Sequence, residues 1–200
     1  MDIDRVASRK KQPEQTRQAI LDAAGECFGR HGYAATGIGS IVEVSGLTKG
    51  ALFHHYADKR ELATAWVRDS LQPQMVQTWV DPLTDISSLQ ELSSFWVRAC
   101  GELVDGDCCT AIVAMAAELA GRDEGLTATL DAVFQVWREG LEAMLERGQR
   151  EGWVHPSIQP GTEAGILISM VAGFSILQRC HSNTGLVDSV TAYLETLRPG

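Results

Sequence analysis

Apolar residues recur at helical spacing along almost all of this 200-residue chain, and no short segment shows sustained strand-like alternation. The pattern therefore predicts an all-α fold. In the first third, the predicted elements are a helix over about 13–31, a short helix capped by Thr36, a third from Thr48 to about Tyr56, and a fourth from Asp58 to about Met75. Pro13 is expected to start the first helix, and Gly32 and Gly46 are expected to end the first two.

Longer helices are predicted beyond Pro82. Their expected ranges are 88–103, 109–120, 126–150, 162–180 and 186–197. Ser88 and Glu91 have capping-box spacing, and Gly152 is expected to end the helix over 126–150. The stretch 101–107, rich in glycine and acidic residues, is expected to interrupt the chain. The change in helix length predicts two parts, an N-terminal three-helix unit over 1–60 and a helical body over 61–200.

The charge distribution differs between these two parts. The chain has a net charge of −9, which taken alone argues against a nucleic-acid partner. Residues 1–60 nevertheless carry nine Lys and Arg against seven Asp and Glu, whereas the remaining 140 residues carry eight against nineteen. This asymmetry favours a small anion-binding unit joined to an acidic body.

Cysteine usage and hydropathy predict the compartment. The five cysteines form an odd set without zinc-type spacing, which is typical of a reducing environment. No apolar run reaches the roughly 18–20 residues that span a bilayer, and no signal-peptide core follows the N-terminus. We therefore expect a cytoplasmic protein with no membrane partner, no metal and no cofactor.

Two short helices joined by a tight glycine-containing turn form a helix-turn-helix, whose second helix enters the major groove of DNA. The stretch TGIGSIVEVSGLTKGALFHHYADKREL, residues 36–62, resembles the TetR family of bacterial transcriptional regulators. The matching positions are Thr36, Ile41, Gly46, Leu47, Lys49, Gly50, Phe53, Tyr56, Lys59 and Leu62. The resemblance implies a nucleoid-associated homodimer that binds palindromic double-stranded operator DNA and is released by a small-molecule effector in its C-terminal domain, most often as a repressor.

The expected DNA-binding residues lie on and around the recognition helix. They are Thr36, Thr48, Lys49, Gly50, Phe53, His54, His55 and Lys59. Lys49 lies in the first turn, where base edges are read, and Lys59 begins the next helix, where its charge and the helix terminus favour a phosphate. Phe53 stands where the family usually has a tyrosine that contacts phosphate, so that contact is absent. Tyr56 is expected to pack inside.

Two sets of polar residues near this helix have competing interpretations. His54 and His55 either donate to phosphates or are simply solvated, and their side chains point about 100° apart, too far to chelate one ion readily. Lys10 and Lys11 are either a solvated tail or a disordered arm that follows the DNA backbone.

In the body, bulky apolar residues supply either a packed core or, as the resemblance implies, a ligand cavity among the middle helices. The candidate ligand-binding residues are Trp96, Met115, Glu118, Phe134, Trp137, Arg138, Met170 and Phe174. Glu118 and Arg138 are candidates for orienting a ligand, with a surface salt bridge as the alternative. A body that only binds other proteins is the alternative to a ligand-binding one.

The run AGILISMVAGFSIL, residues 164–177, is more apolar than a helix half-exposed on a monomer should be. It is either a buried core helix or a dimer surface. Small residues at four-residue spacing form a ridge on it, and the resemblance implies pairing through the last two helices. The expected interface residues are Gly165, Ser169, Gly173, Leu177, Tyr193 and Leu194.

Cys108 and Cys109 have two interpretations. A cysteine at a helix N-terminus has a lowered thiol pKa, and some relatives sense electrophiles through such a residue, whereas inert buried thiols are the alternative. An enzyme acting through either cysteine with His155 or His181 is a further alternative. We do not favour it, because the sequence offers no recognisable nucleophile, base and orienting residue together.

Overall fold

The computed structural model describes residues 3–101, 108–180 and 186–199. Within these ranges the α-helices are α1 (Ile3–His31), α2 (Ile38–Ser45), α3 (Lys49–His55), α4 (Lys59–Trp66), α5 (Gln72–Met75), α6 (Leu89–Gly101), α7 (Cys108–Leu119), α8 (Glu124–Glu151), α9 (Pro160–Cys180) and α10 (Leu186–Glu195). The described residues contain no strand, so the all-α prediction is confirmed.

Local chemistry fixes the ends of the short helices near the N-terminus. Gly46 ends α2 in the left-handed region at φ 66°, which a residue without a side chain adopts easily. The Thr48 hydroxyl accepts a hydrogen bond from the amide of Ala51 at 3.1 Å and so caps α3. The Asp58 carboxylate caps α4 by accepting from the amide of Glu61 at 2.8 Å. These three predictions are confirmed.

The predicted start of α1 and the predicted cap of α2 are wrong. Helix α1 begins at Ile3, so Pro13 lies inside it and the helix continues although the proline donates no hydrogen bond. The N-cap of α2 is Gly37, which has no side chain to cap with. The Thr36 hydroxyl instead shares its single proton between the carbonyls of Gly32 and Cys27, at 2.7 and 3.1 Å.

The helical path that starts at α4 continues beyond the predicted end at Met75. Two π-helical turns, Val67–Leu71 and Val76–Val80, flank the short α5, and a 3₁₀ turn at Asp81–Thr84 follows. Backbone angles stay in the right-handed helical region at each junction up to Asp81. Because Pro73 has no N–H, the regular hydrogen-bond ladder is interrupted in this region, and the wider π turns lie on either side of it.

In the body, the predicted helices and caps are confirmed where the structure describes them. The Ser88 hydroxyl accepts from the amide of Glu91 at 3.2 Å, and α8 ends at Gly152 with φ 83°. The segment 102–107, most of the predicted interruption, lies outside the described residues.

One continuous hydrophobic core runs from α1 through the body. The long helix α8 packs against α9 and against the π-helical turns, α10 packs against α6, and α7 packs against both α9 and α1. By length and composition, the segment 160–177 of α9 could cross a membrane, so the expectation that no segment is long enough is wrong. The window reaches that length because its only charged residue is Glu163.

Candidate functional site

Helix α3 exposes one face to solvent and buries the other. Leu52 is fully buried against α1 and α2, whereas Lys49, Gly50, Phe53 and His54 are exposed. At about 100° per residue, positions 49, 53, 50 and 54 fall within about 140° of the helix circumference, so these four form a continuous outer surface, which we call the α3 face. Its polar and aromatic side chains point away from the protein and are available to a partner.

Lys49 is the cationic residue of the α3 face and lies in the first helical turn, next to the capping residue Thr48. It makes no hydrogen bond or ion pair within the described parts of the chain. Gly50 beside it has open space where a side chain would project, apart from the Thr48 hydroxyl 3.8 Å away. The start of α3 is therefore unobstructed, and a long cation extends from it.

The aromatic residues of α3 and its end divide between surface and core. Phe53 is 49% exposed, whereas Tyr56 is buried, which confirms its expected packing role. Burial also raises the pKa of the Tyr56 hydroxyl. The rings of His54 and His55 lie edge to face with centroids 5.4 Å apart. Among the described residues, no three His, Cys, Asp or Glu side chains are grouped as a metal would require.

Two residues expected to contact DNA form hydrogen bonds within the protein instead. Thr36 is 2% exposed and its hydroxyl bonds two carbonyls of its own chain, so it presents no group to a partner. The Lys59 ammonium donates to the carbonyls of Tyr33 and Thr36, both at 2.9 Å, and to that of Ala34 at 3.4 Å. An ammonium has three protons, so in this arrangement Lys59 has none left for a phosphate. We therefore correct both expectations.

The interior of the body holds a cluster of aromatic rings. Trp79 lies between Phe95, Trp96 and Trp137, with ring centroids 6.1, 5.7 and 5.1 Å away. Trp96 and Trp137 are 1% and 0% exposed, and their indole N–H groups find no acceptor among the described residues. Because a buried donor without an acceptor costs about 1–3 kcal/mol, two in one cluster call for an explanation.

The other candidate ligand residues divide into three groups. Met115 and Phe174 are buried, and Phe134 and Met170 are half-buried against the core. Arg138 lies on the outer side of α8, where it donates to the side-chain oxygen of Gln135 at 2.8 and 3.0 Å. It also faces Glu142 at 3.9 Å. The ligand-orienting role of Arg138 is therefore corrected to a surface pairing.

Glu118 also lies away from the aromatic cluster. Its carboxylate accepts a hydrogen bond at 2.7 Å from the amide of Ala34, in the segment between α1 and α2. It therefore contacts the N-terminal unit rather than the interior of the body, and the expectation that it orients a ligand is corrected.

Helix α9 carries an apolar surface that no other part of the described chain covers. Ile166, Ile176 and Leu177 are 36%, 50% and 46% exposed. A Cβ added to Gly165 or Gly173 on the same helix would meet no atom within 4 Å. The buried-core alternative therefore does not describe this face of α9.

Helix α10 contributes less to this surface than expected. Leu194 is 1% exposed within its own chain, so its expected place at an interface is corrected to an intramolecular packing role. The Tyr193 hydroxyl donates to the carboxylate of Glu163 and so ties α10 to α9. Burial and this hydrogen bond raise the pKa of the Tyr193 hydroxyl.

The cysteine pair lies at the start of α7, as expected. Cys108 and Cys109 are 9% and 0% exposed, which favours shielded thiols over reactive ones. Gly106 and Asp107, which precede them, and His181 lie outside the described residues. The His155 ring accepts a hydrogen bond from the amide of Ser157 at 3.1 Å.

Sequence reasoning missed a contact between the two parts of the chain. The Arg60 guanidinium binds both carboxylate oxygens of Asp123, at 2.7 and 3.1 Å, and this contact lowers the pKa of Asp123. Asp123 also caps α8 by accepting from the amide of Leu126 at 3.0 Å. The cap has a sequence signal, an aspartate ahead of an apolar run, but the pairing across 63 residues has none.

Comparison with known proteins places both parts of the chain. Residues 20–65 match the family described as bacterial regulatory proteins, tetR family, and residues 86–194 match the tetracyclin repressor-like C-terminal domain. The chain is 26% identical over 182 residues to the A-factor receptor protein of Streptomyces griseus, a match that covers 88% of this chain and 59% of that protein. It therefore spans less than two thirds of that relative.

Two solved structures resemble the fold. A gamma-butyrolactone receptor described as ArpA-like is 30% identical, with a TM-score of 0.57, and the match covers 82% of this chain and 76% of that one. The reduced form of Escherichia coli NemR has a TM-score of 0.81 at 14% identity and covers 92% of this chain and 97% of that one, which shows the shared fold.

Proposed function

The chain belongs to the TetR family of bacterial regulatory proteins, and from that premise we propose that it is a dimeric, ligand-responsive repressor that binds palindromic operator DNA. The observation that carries the proposal is the α3 face. On one side, this short capped helix has a glycine, an exposed aromatic ring and a lysine that makes no polar contact within the described residues. Leu52 anchors its other side in the core. This is the arrangement a helix needs to enter a major groove.

The roles of the α3 face follow from its chemistry. Lys49, in the first turn, reaches a guanine edge, and Gly50 keeps the helix backbone close to the groove. The exposed ring of Phe53 suits an apolar contact such as a thymine methyl group. His54 lies on this surface and Thr48 and His55 lie beside it, and we infer phosphate contacts for all three. A DNA-binding repressor of this kind works in the cytoplasm at the nucleoid.

Selection of operator sequences from a random duplex library tests the DNA-binding role. We expect the wild-type protein to enrich a two-fold symmetric sequence whose half-sites are centred about one helical turn, or a multiple of it, apart. Enrichment of no palindrome would contradict the repressor proposal as a whole.

The exposed face of α9 supports the dimer. Ile166, Ile176 and Leu177 form the apolar part of the face, and Gly165, Ser169 and Gly173 allow close approach of a second helix. Since a Cβ at Gly173 meets no atom of the described residues within 4 Å, Gly173→Leu should leave the monomer folded while it separates the facing helices. Analytical ultracentrifugation should find a wild-type dimer at micromolar concentration and a folded monomer for Gly173→Leu. A wild-type monomer would contradict this interface.

The aromatic cluster supports a small effector with a hydrogen-bond acceptor on an apolar frame. Such a molecule would satisfy the indole N–H groups of Trp96 and Trp137, which a body built only to bind proteins leaves unexplained. Met115, Phe134, Met170 and Phe174 would supply the surrounding apolar surface. A γ-butyrolactone with an alkyl chain has this chemistry, and two similar proteins are named as receptors for A-factor and for a gamma-butyrolactone.

Titration with an alkyl γ-butyrolactone tests the effector class. We expect it to change tryptophan fluorescence and release operator DNA. Trp137→Phe or Trp96→Phe should weaken binding about tenfold by removing one hydrogen-bond donor. Trp153→Phe is the matched control, because the Trp153 N–H is already bonded to Glu151 at 3.0 Å. No binding would exclude this class of effector, and equal effects of all three substitutions would exclude the cluster as the site.

A further inference from the structure

The segment between α1 and α2, residues 32–36, is held from several directions, and we call it the α1–α2 corner. It begins at Gly32, whose φ of 79° lies in the left-handed region. The buried Thr36 hydroxyl closes it by bonding the carbonyls of Gly32 and Cys27. The corner leads directly into α2, and α2 packs against α3. Its position therefore determines where the α3 face lies.

The body contacts this corner through Glu118, near the end of α7. One carboxylate oxygen of Glu118 accepts from the amide of Ala34 at 2.7 Å. The other lies so close over Gly32 that a Cβ on that residue would collide with it. A charged acceptor on a backbone amide is among the stronger hydrogen bonds, and the close approach over glycine fixes the geometry further.

Lys59, the first residue of α4, also holds the corner, because its ammonium donates to the carbonyls of Tyr33, Ala34 and Thr36. The ammonium also lies 4.4 Å from the centre of the Tyr33 ring. Within the N-terminal unit the corner is thus rigid, while Glu118 is its contact with α7 of the body. The Arg60–Asp123 pair also joins the two parts, but the Arg60 side chain is 58% exposed, and exposed pairs contribute little.

We propose that Glu118 is the positioning residue through which the body sets the orientation of the helix-turn-helix, and hence the separation of the two α3 faces in the dimer. The inference rests on the proposed function, because it requires a dimer on a two-fold operator. Packing of α7 on α1 and the continuous core hold the N-terminal unit on the body, and the directional hydrogen bond from Ala34 to Glu118 sets the angle between them. Without that contact, the unit tilts and accepts operators of other half-site spacing.

Operators with altered spacing test the inference. Inserting one base pair at the centre of the operator shifts one half-site by about 3.4 Å and rotates it by roughly 35°. The measurement is the ratio of affinities for the selected operator and the lengthened one. A variant that is only partly folded loses affinity for both by the same factor, so the ratio reports orientation rather than stability.

We expect Glu118→Ala to reduce this ratio about tenfold, the size expected from losing one charge-assisted hydrogen bond, while base preferences inside each half-site stay the same. Glu118→Gln keeps an acceptor of the same length and should retain the wild-type ratio within about threefold. Glu139→Gln, at an exposed position on α8, is the matched control and should have no effect.

The outcomes separate this inference from the proposed function. If the wild type selects no spaced palindrome, the proposed function fails and the inference fails with it. If the wild type discriminates by spacing and Glu118→Ala does so equally well, the proposed function stands and the positioning role of Glu118 is wrong. Failure of Glu118→Gln to restore the ratio would also overturn it, because the hydrogen bond would then not be the cause.

Discussion

Residues that match the DNA-binding pattern of the family lie both on the α3 face and at the α1–α2 corner, but their side chains have opposite roles in the two places. On the α3 face, Lys49 and Phe53 are exposed and Lys49 makes no polar contact within the described parts of the chain. At the corner, Thr36 and Lys59 direct their polar atoms to carbonyls of their own chain. The first surface is available to a partner, and the second is part of the fold.

The difference has a physical cause. Inside a helix such as α3, backbone carbonyls are bonded to amides of the next turn, so a lysine on its surface has no internal acceptor to bind. The corner is not helical, and its carbonyls need donors from elsewhere. Lys59 supplies them because α4 starts beside the corner. Two lysines in similar sequence contexts therefore differ in role because of the backbone next to them.

Lys49→Ala gives the largest expected effect. If Lys49 reads a guanine edge, its loss should cost about 1–3 kcal/mol per half-site and remove discrimination at one symmetric base-pair position. The melting temperature should stay close to that of the wild type, since the side chain is exposed. Operator selection with both proteins measures this. Identical base preferences at every position would show that Lys49 touches phosphate only, or nothing.

Lys59→Ala should have the reverse effects of Lys49→Ala, a loss of stability without a loss of a DNA contact. Three carbonyls lose their donor, so we expect the free energy of unfolding to fall by about 1–3 kcal/mol. The slope of log K against log salt for operator binding should be unchanged. Chemical denaturation and a salt titration measure the two quantities. A slope flatter by about one unit per chain, with unaltered stability, would show that Lys59 contacts a phosphate and does not hold the corner.

A double-mutant cycle at Gly32 and Glu118 gives a smaller effect. Gly32→Ala should destabilise the protein through its left-handed backbone, by about 1–2 kcal/mol, and additionally through its collision with the Glu118 carboxylate. In a Glu118→Ala background the collision is absent, so we expect a coupling energy of about 1 kcal/mol from denaturation curves. Strict additivity would mean that Glu118 does not lie over the corner in solution.

The pH dependence of the Arg60–Asp123 contact gives the smallest effect, because the Arg60 side chain is largely exposed and solvent screens the pair. The hydrogen bond from Arg60 lowers the pKa of Asp123 below its ordinary 3.8. A carboxylate whose pKa is lower in the folded than in the unfolded protein stabilises the fold. This stabilisation is complete above the pKa of the unfolded state and is lost as the pH falls through the pKa of the folded state. Asp123→Asn keeps a residue type that caps helices, but it removes the charge and replaces one of the two acceptor oxygens by an NH2 donor.

We therefore expect the melting temperature of Asp123→Asn to lie below that of the wild type at neutral pH. The gap should close as the pH falls below about 4. Asp131→Asn, at an exposed position on α8, is the control and should show no such trend. A gap that persists unchanged at pH 2 would show that the loss comes from the cap rather than from the ion pair.

Several features could be predicted from short stretches of sequence because their causes are local. Gly46, Thr48 and Asp58 mark helix ends through their own backbone freedom or side-chain acceptors, and Gly152 does the same for α8. The exposure of Lys49 follows from its place on a short amphipathic helix, whereas the packing role of Tyr56 was implied by the family resemblance. The prediction that α1 starts at Pro13 is wrong, because a helix can continue through a proline when its neighbours stabilise it.

The sequence by itself therefore determined the all-α class, the helix-turn-helix with the N-caps of α3 and α4, the identity of the α3 face and the unusually apolar α9. These depend on periodicity and on residues no more than a few positions apart. Only the tertiary structure decided that Lys59 and Thr36 hold the corner, that Glu118 reaches it from α7, that Arg60 pairs with Asp123, and that Leu194 packs within its own chain. Some of these contacts join residues far apart in sequence, and the others depend on which backbone carbonyls lack a hydrogen-bond donor nearby. The spacing of residues in a short stretch of sequence predicts neither.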